Sequence, residues 1–163
     1  MSEFRRDLIS GDWIIVSKER GKRPHQFKAK KRKRAPKKGC VFENPSDAAF
    51  AGAVITSVPA GPNWKVQVIP NKYPAVNRDG IWVLNENQEG PFLVLPGYGY
   101  HEVVITRDHD DSFADLQSKD AFTLLKVLRE RYRNLSTDKN ISYIHIFANH
   151  GETAGASIYH PHY

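Results

Sequence analysis

With 163 residues, 40% of them hydrophobic, and a formal charge of +6, the chain is long enough for one real core and too short for two full domains. It has no apolar run near the roughly 20 residues needed to span a bilayer, and its opening Met-Ser-Glu-Phe-Arg-Arg-Asp lacks the apolar centre of a secretory signal, so a cytoplasmic protein is expected. The single cysteine, Cys40, excludes an internal disulfide and leaves metal ligation, reactivity or packing as its roles.

The β-rich run Trp-Ile-Ile-Val at 13–16 follows the turn-former Gly11 and reads as a first strand. Residues 21–62 are expected to be mostly irregular, with a basic loop at 28–38 that gathers Lys28, Lys30, Lys31, Arg32, Lys33, Arg34, Lys37 and Lys38. Such a run can displace counterions from a nucleic-acid backbone, but Phe27 is the one aromatic beside it, so a solvated loop is the favoured reading. Residues 64–69 alternate at period two, as a half-buried strand does, and end at Pro70; residues 81–84 are a further candidate. The β-branched run at 101–106 reads as a central strand. Ser118 is placed as a helix N-cap, with Asp120 near the positive end and Ala121, Leu124, Leu125, Leu128 and Tyr132 at helical spacing. After the turn at 138–140, residues 141–147 read as another strand with Tyr143, His145 and Phe147 on one face. Strands outnumber helices, which predicts an antiparallel-rich α+β domain.

The chemistry concentrates in residues 149–163. Gly151 and Gly155, with the small Ala154, Ala156 and Ser157, let backbone N–H groups approach an anion, and Asn149 and Ser157 add side-chain donors. On an extended segment His160 and His162 share a face, about 6–7 Å apart. They can then divide two tasks, one ring ligating a metal while the other, held in a single tautomer, offers a lone pair to phosphorus. His25, His101, His145 and His150 receive no role and are read as structural or exposed.

This segment resembles the Asn-x-Gly-x-x-x-Gly-x-Ser-x-x-His-Pro-His-x-Gln signature of galactose-1-phosphate uridylyltransferases, a branch of the histidine-triad superfamily. Asn149, Gly151, Gly155, Ser157, His160, Pro161 and His162 fall on it without a gap. Residues 12–16, 19–24, 64–74 and 101–109 are similar to the family's N-terminal half, so the resemblance covers most of the chain. It implies a single domain over 1–163, a histidine-triad-like antiparallel half-barrel with one main helix and long irregular N-terminal loops. It also implies ping-pong transfer of UMP between UDP-glucose and galactose 1-phosphate, with His162 as the catalytic nucleophile. By the same resemblance Arg20 and Arg23 bind phosphates, and Asn71 and Lys72 lie where ribose and uracil are held, Lys72 replacing an acidic residue found in some members. The full-length form is implied to be a homodimer.

The family's structural zinc is held by Cys-x-x-Cys, a downstream histidine and the first histidine of His-Pro-His. Cys40, His109 and His160 match three of these ligands, and Glu43 stands in place of the second cysteine. A carboxylate is an acceptable zinc ligand, and the exchange makes the site harder. The signature's glutamine would follow Tyr163, and the family's second half is absent, so a fragment that is inactive alone is expected. The C-terminal strand is expected to fray. Two rival readings are a phosphorylase similar to the ADP-glucose phosphorylases, and a non-catalytic module binding nucleotide or RNA through the basic loop.

Overall fold

The computed structural model describes residues 2–17, 34–45, 54–79 and 93–163. The architecture is α+β. In chain order the elements are β1 (Ser2–Arg6), β2 (Trp13–Ser17), β3 (Thr56–Val58), β4 (Val66–Pro70), β5 (Val94–Pro96), β6 (Glu102–Thr106), α1 (Ser118–Leu135) and a 3-10 turn (Glu152–Ala154). The strands form two antiparallel sheets, ordered β2-β1-β5 and β3-β4-β6. The chain divides into two compact units, Met1–Pro24 with Lys72–His101, and His25–Asn71 with Glu102–Tyr163. The strand expected at 81–84 lies outside the described residues.

In the first unit β1 pairs Phe4 with Ile15 of β2 and with Leu95 of β5. The β1–β2 turn is held by the Asp7 carboxylate, which accepts from the backbone N–H groups of Ile9 at 2.9 Å and Ser10 at 2.7 Å. Trp13, Ile14 and Ile15 stay 46%, 50% and 45% exposed, so both faces of β2 are open. His101 is structural, its Nδ1 accepting from the Ala75 N–H at 2.8 Å.

In the second unit β4 lies between β3 and β6, with Gln67 opposite Ser57 on one side and Ile105 on the other. Its expected half-burial is corrected, because residues 66–69 are all buried. The reason is a covering layer on each face. One face carries Ile69, Val103 and Ile105 under Phe42 and Trp64; the other packs Val66, Val68 and Val104 against Leu124 and Val127 of α1. The one polar member, Gln67, donates to Ser57 Oγ at 3.3 Å.

The N-cap of α1 falls one residue before the expected one. Gln117, extended at φ −61 and ψ 145, is the N-cap and makes no side-chain capping bond, while Ser118 is already helical. The Gln117 carbonyl accepts from the N–H groups of Asp120 and Ala121, each at 2.9 Å. Leu125 and Tyr132 of the expected stripe are exposed; Leu124 and Val127 carry the burial, and Arg131 forks onto Glu102 of β6 at 2.8 and 2.6 Å.

The strand expected at 141–147 does not form: no described strand pairs with this segment. The expected row of rings is present, those at 143, 145 and 147 spaced 6.1 and 5.1 Å, but Ile146 of the other face is 47% exposed as well, and a segment becomes a strand only where a neighbour completes its ladder. The C-terminus is better held than expected. Tyr163 exchanges both backbone hydrogen bonds with Val104, at 2.8 and 2.9 Å, which sets His162 opposite Ile105. No helix among the described residues is long and apolar enough to cross a membrane.

Candidate functional site

Because His162 lies opposite Ile105 on an antiparallel pair, its side chain shares the sheet face that carries Ile105, on the side away from α1. The Phe42 ring packs edge-on against it, centroids 5.3 Å apart. His162 Nδ1 lies 3.0 Å from the carbonyl oxygen of His160. A carbonyl only accepts, so Nδ1 carries the proton and, in the neutral ring, Nε2 carries the lone pair.

Two residues earlier, on the same face, His160 is fully buried. Its Nε2 donates to the Thr106 carbonyl at 2.7 Å, which turns Nδ1 toward Cys40 Sγ at 3.7 Å and Glu43 Oε1 at 3.6 Å. His109, also buried, repeats the device: Nε2 meets the Ala35 carbonyl at 3.0 Å, and Nδ1 faces Glu43 Oε1 at 2.9 Å. A histidine whose second nitrogen is fixed on a carbonyl is the usual form of a metal ligand. Ligand atoms of Cys40, His109 and His160 lie within 4.8 Å of one another, and this cluster could hold a metal ion.

The electrostatics fit that reading. Burial, the larger influence, pushes His160 below the usual histidine range, against the Thr106 hydrogen bond, which raises it; the ring is therefore kept neutral and able to ligate. Burial pushes the Cys40 thiol up, so an incoming ion must displace its proton. Outside the cluster, Arg34 grips Asp110 through Nε at 2.8 Å and through Nη2, and this ion pair holds the Asp110 carboxyl below the usual range. The Tyr159 ring stands 5.5 Å from that of His109.

Gly151 and Gly155 adopt φ of 80° and 86°, a region that favours glycine, on either side of the turn Glu152–Ala154. The Ala156 N–H donates to the Gly151 carbonyl at 3.1 Å, closing the turn. Asn149 and Ser157 flank it, exposed, and a Cβ on Gly155 would meet Asn149 Nδ2 at 3.9 Å. Asn71 is half-buried directly after β4. Lys72, exposed and in the first unit, holds its Nζ 5.8 Å from the Tyr73 ring centroid. Arg20 and Arg23 lie outside the described residues, as do residues 28–33 of the basic loop. The structure thus brings together all four expected metal ligands, with His162 beside them across Phe42.

The family model for the galactose-1-phosphate uridyl transferase N-terminal domain matches residues 1–163. The chain belongs to that family. An ADP-glucose phosphorylase from Arabidopsis thaliana is 31% identical, over 98% of this chain and 46% of its own length. A galactose-1-phosphate uridylyltransferase from Thermotoga maritima is 29% identical, over 99% of this chain and 45% of its own. A solved structure of an ADP-glucose phosphorylase from Arabidopsis thaliana with bound ADP-glucose matches with a TM-score of 0.60 at 28% identity, covering 99% of this chain and 47% of that one. The chain spans about half the length of the curated relatives it matches.

Sequence reasoning missed the groups that aim the rings. The Thr106, Ala35 and His160 carbonyls are main-chain atoms, present at every residue, and carry no residue-type signal. Phe42, which contacts both His160 and His162, was visible only as an aromatic between two ligand positions.

Proposed function

We propose that the protein transfers UMP from UDP-glucose to galactose 1-phosphate through a uridylyl group carried covalently on His162. The observation that carries this reading is the 3.0 Å contact between His162 Nδ1 and the His160 carbonyl, which leaves the lone pair of the neutral ring on Nε2, the nitrogen we assign as nucleophile. The Nε2 lone pair attacks the α-phosphorus of the donor. As the N–P bond forms, the P–O bond to the departing glucose 1-phosphate breaks and its electron pair leaves with that oxygen. The ring's developing positive charge is shared with Nδ1–H, already donating to a carbonyl. A phosphate oxygen of galactose 1-phosphate then attacks the same phosphorus, the P–N bond breaks, and neutral His162 returns.

The glycine turn at 151–155 suits the anionic oxygens, with Ser157 and Asn149 as side-chain donors. Arg20 and Arg23 are assigned to the phosphates, Asn71 and Lys72 to the nucleoside. Cys40, Glu43, His109 and His160 would hold a zinc ion. When bound, that ion supplies a structural cross-link between the loop at 40–43, the segment after β6 and the His-Pro-His segment. Zinc content near one equivalent, falling about tenfold in affinity on Glu43→Gln by competition with a chelator, is the expected result; equal affinity in the variant removes Glu43 from the ligand set.

A second reading, phosphorolysis of ADP-glucose by the same histidine chemistry, is favoured by the 31% identity to an ADP-glucose phosphorylase. One experiment separates the two. The protein is incubated with UDP-glucose or ADP-glucose labelled at the α-phosphorus, and the trapped label is mapped. Label on His162, lost in His162→Gly, is expected, and the preferred donor names the reaction. If a well-folded version extended through the signature's glutamine takes label from neither donor, the transferase assignment ends.

A further inference from the structure

A groove of about 250 Å³ opens at the end of the β3-β4-β6 sheet, between the start of α1 and the segments around Lys37–Glu43 and Thr106–Asp108. Lys37, Lys65, Arg107 and Thr106 line it, together with the carboxylates of Glu43, Asp108 and Asp120. Formal charge balances, so what decides the ligand is which groups are already engaged. Glu43 Oε1 is held by His109 at 2.9 Å, and Asp108 Oδ1 accepts from the N–H groups of Asp110 and Asp111 at 2.9 and 3.0 Å. Asp120 is paired with Lys65 at 3.7 Å, an exposed contact that gives way easily to a stronger one.

The cations are less committed. Arg107 donates one N–H to the neutral Glu43 carbonyl at 3.0 Å and lays its guanidinium over the Trp64 ring at 4.8 Å. Neither Lys37 nor Arg107 forms an ion pair with a described carboxylate. Thr106, 3% exposed, adds an independent sign: its hydroxyl is buried without a hydrogen-bond partner among the described residues. An orphaned buried hydroxyl is costly unless something completes it.

We propose that this groove is a second anion site, taking the phosphate group of a phosphate monoester between Lys37, Lys65 and Arg107, with the Thr106 hydroxyl as a further donor. It shares Glu43 with the metal cluster, and its lining includes neither His162 nor the glycine turn at 151–155. Two of its members also support the metal cluster, Thr106 through its carbonyl on His160 and Arg107 through the carbonyl of Glu43, so an occupant braces both.

The test is a titration of the ¹⁵N-labelled protein with inorganic phosphate and with glucose 1-phosphate at constant ionic strength, followed residue by residue by NMR. The amides of Lys65, Arg107 and Asp120 are expected to shift saturably, with Kd rising about tenfold in Lys37→Met. In Thr106→Val two effects should run in opposite directions, weaker phosphate binding and a higher melting temperature. Similar affinities for the two probes place recognition in the phosphate group; tighter glucose 1-phosphate adds a sugar contact. The site is overturned if chloride produces the same shifts, if Lys37→Met leaves the affinity unchanged, or if Thr106→Val lowers stability without touching binding. Shifts confined to residues 151–157 would report the His162 site instead, so the two readings fail separately.

Discussion

The two sheets are built from similar material and end in different surroundings. β2 reads Trp-Ile-Ile-Val-Ser and β4 reads Val-Gln-Val-Ile-Pro, both rich in β-branched residues, yet Trp13, Ile14 and Ile15 remain about half exposed while residues 66–69 are buried, the glutamine included. Strand-forming tendency is thus not what separates them. The second sheet has α1 on one face and the Phe42 and Trp64 layer on the other. His162 bridges to this covered sheet at Ile105, and His160 is anchored on the carbonyl of its Thr106. Covering removes the alternatives a side chain or a carbonyl would otherwise have, and the site inherits that restriction.

The comparison breaks most visibly at Leu124, fully buried beneath α1. Leu124→Ala is expected to cost about 3 kcal/mol in denaturant unfolding and to speed hydrogen exchange in β4 and β6 but not in β1. Next comes Arg131→Met, which leaves the largely buried Glu102 carboxylate without its fork; a loss of about 2 kcal/mol is expected, recovered in part by adding Glu102→Gln. Ile14→Ala on the open sheet is expected to cost below about 1 kcal/mol, and a value matching Leu124→Ala would falsify the contrast.

The smallest effect concerns Asp7. Backbone hydrogen bonds from Ser10, then Ile9, hold its carboxyl below the usual 3.8. A depressed carboxylate stabilises the folded form above the unfolded value, and that contribution is lost as pH falls through the lower folded value. Asp7→Asn is therefore expected to narrow the stability difference between pH 7 and about pH 3 slightly, read from urea midpoints.

The grouping that the resemblance implied was legible: Cys40, His109, His160 and the substituted Glu43 come together, with His162 beside them. So were the strands near 66–70 and 102–106 and the long helix, where pattern and burial agree. The short β1, β3 and β5 were not foreseen, because three to five residues of mixed character carry little periodic signal. The error at 141–147 has a different origin. Its row of rings was read correctly, but whether it pairs depends on a neighbouring backbone that local sequence does not encode. Gln67 misled in the same manner, since a polar residue inside an alternating run normally marks the wet face and here sits under a second layer.

Hanging both cluster imidazoles from peptide oxygens has an evolutionary corollary. The aim of each ring is written into the chain's path, so the residue at position 43 can be exchanged without re-aiming either histidine. With a metal bound as proposed, position 43 would act as an interchangeable fourth donor. Sulfur or oxygen there would retune which ion is preferred and how fast it departs, while the scaffold that presents His162, the proposed nucleophile, stays as it was.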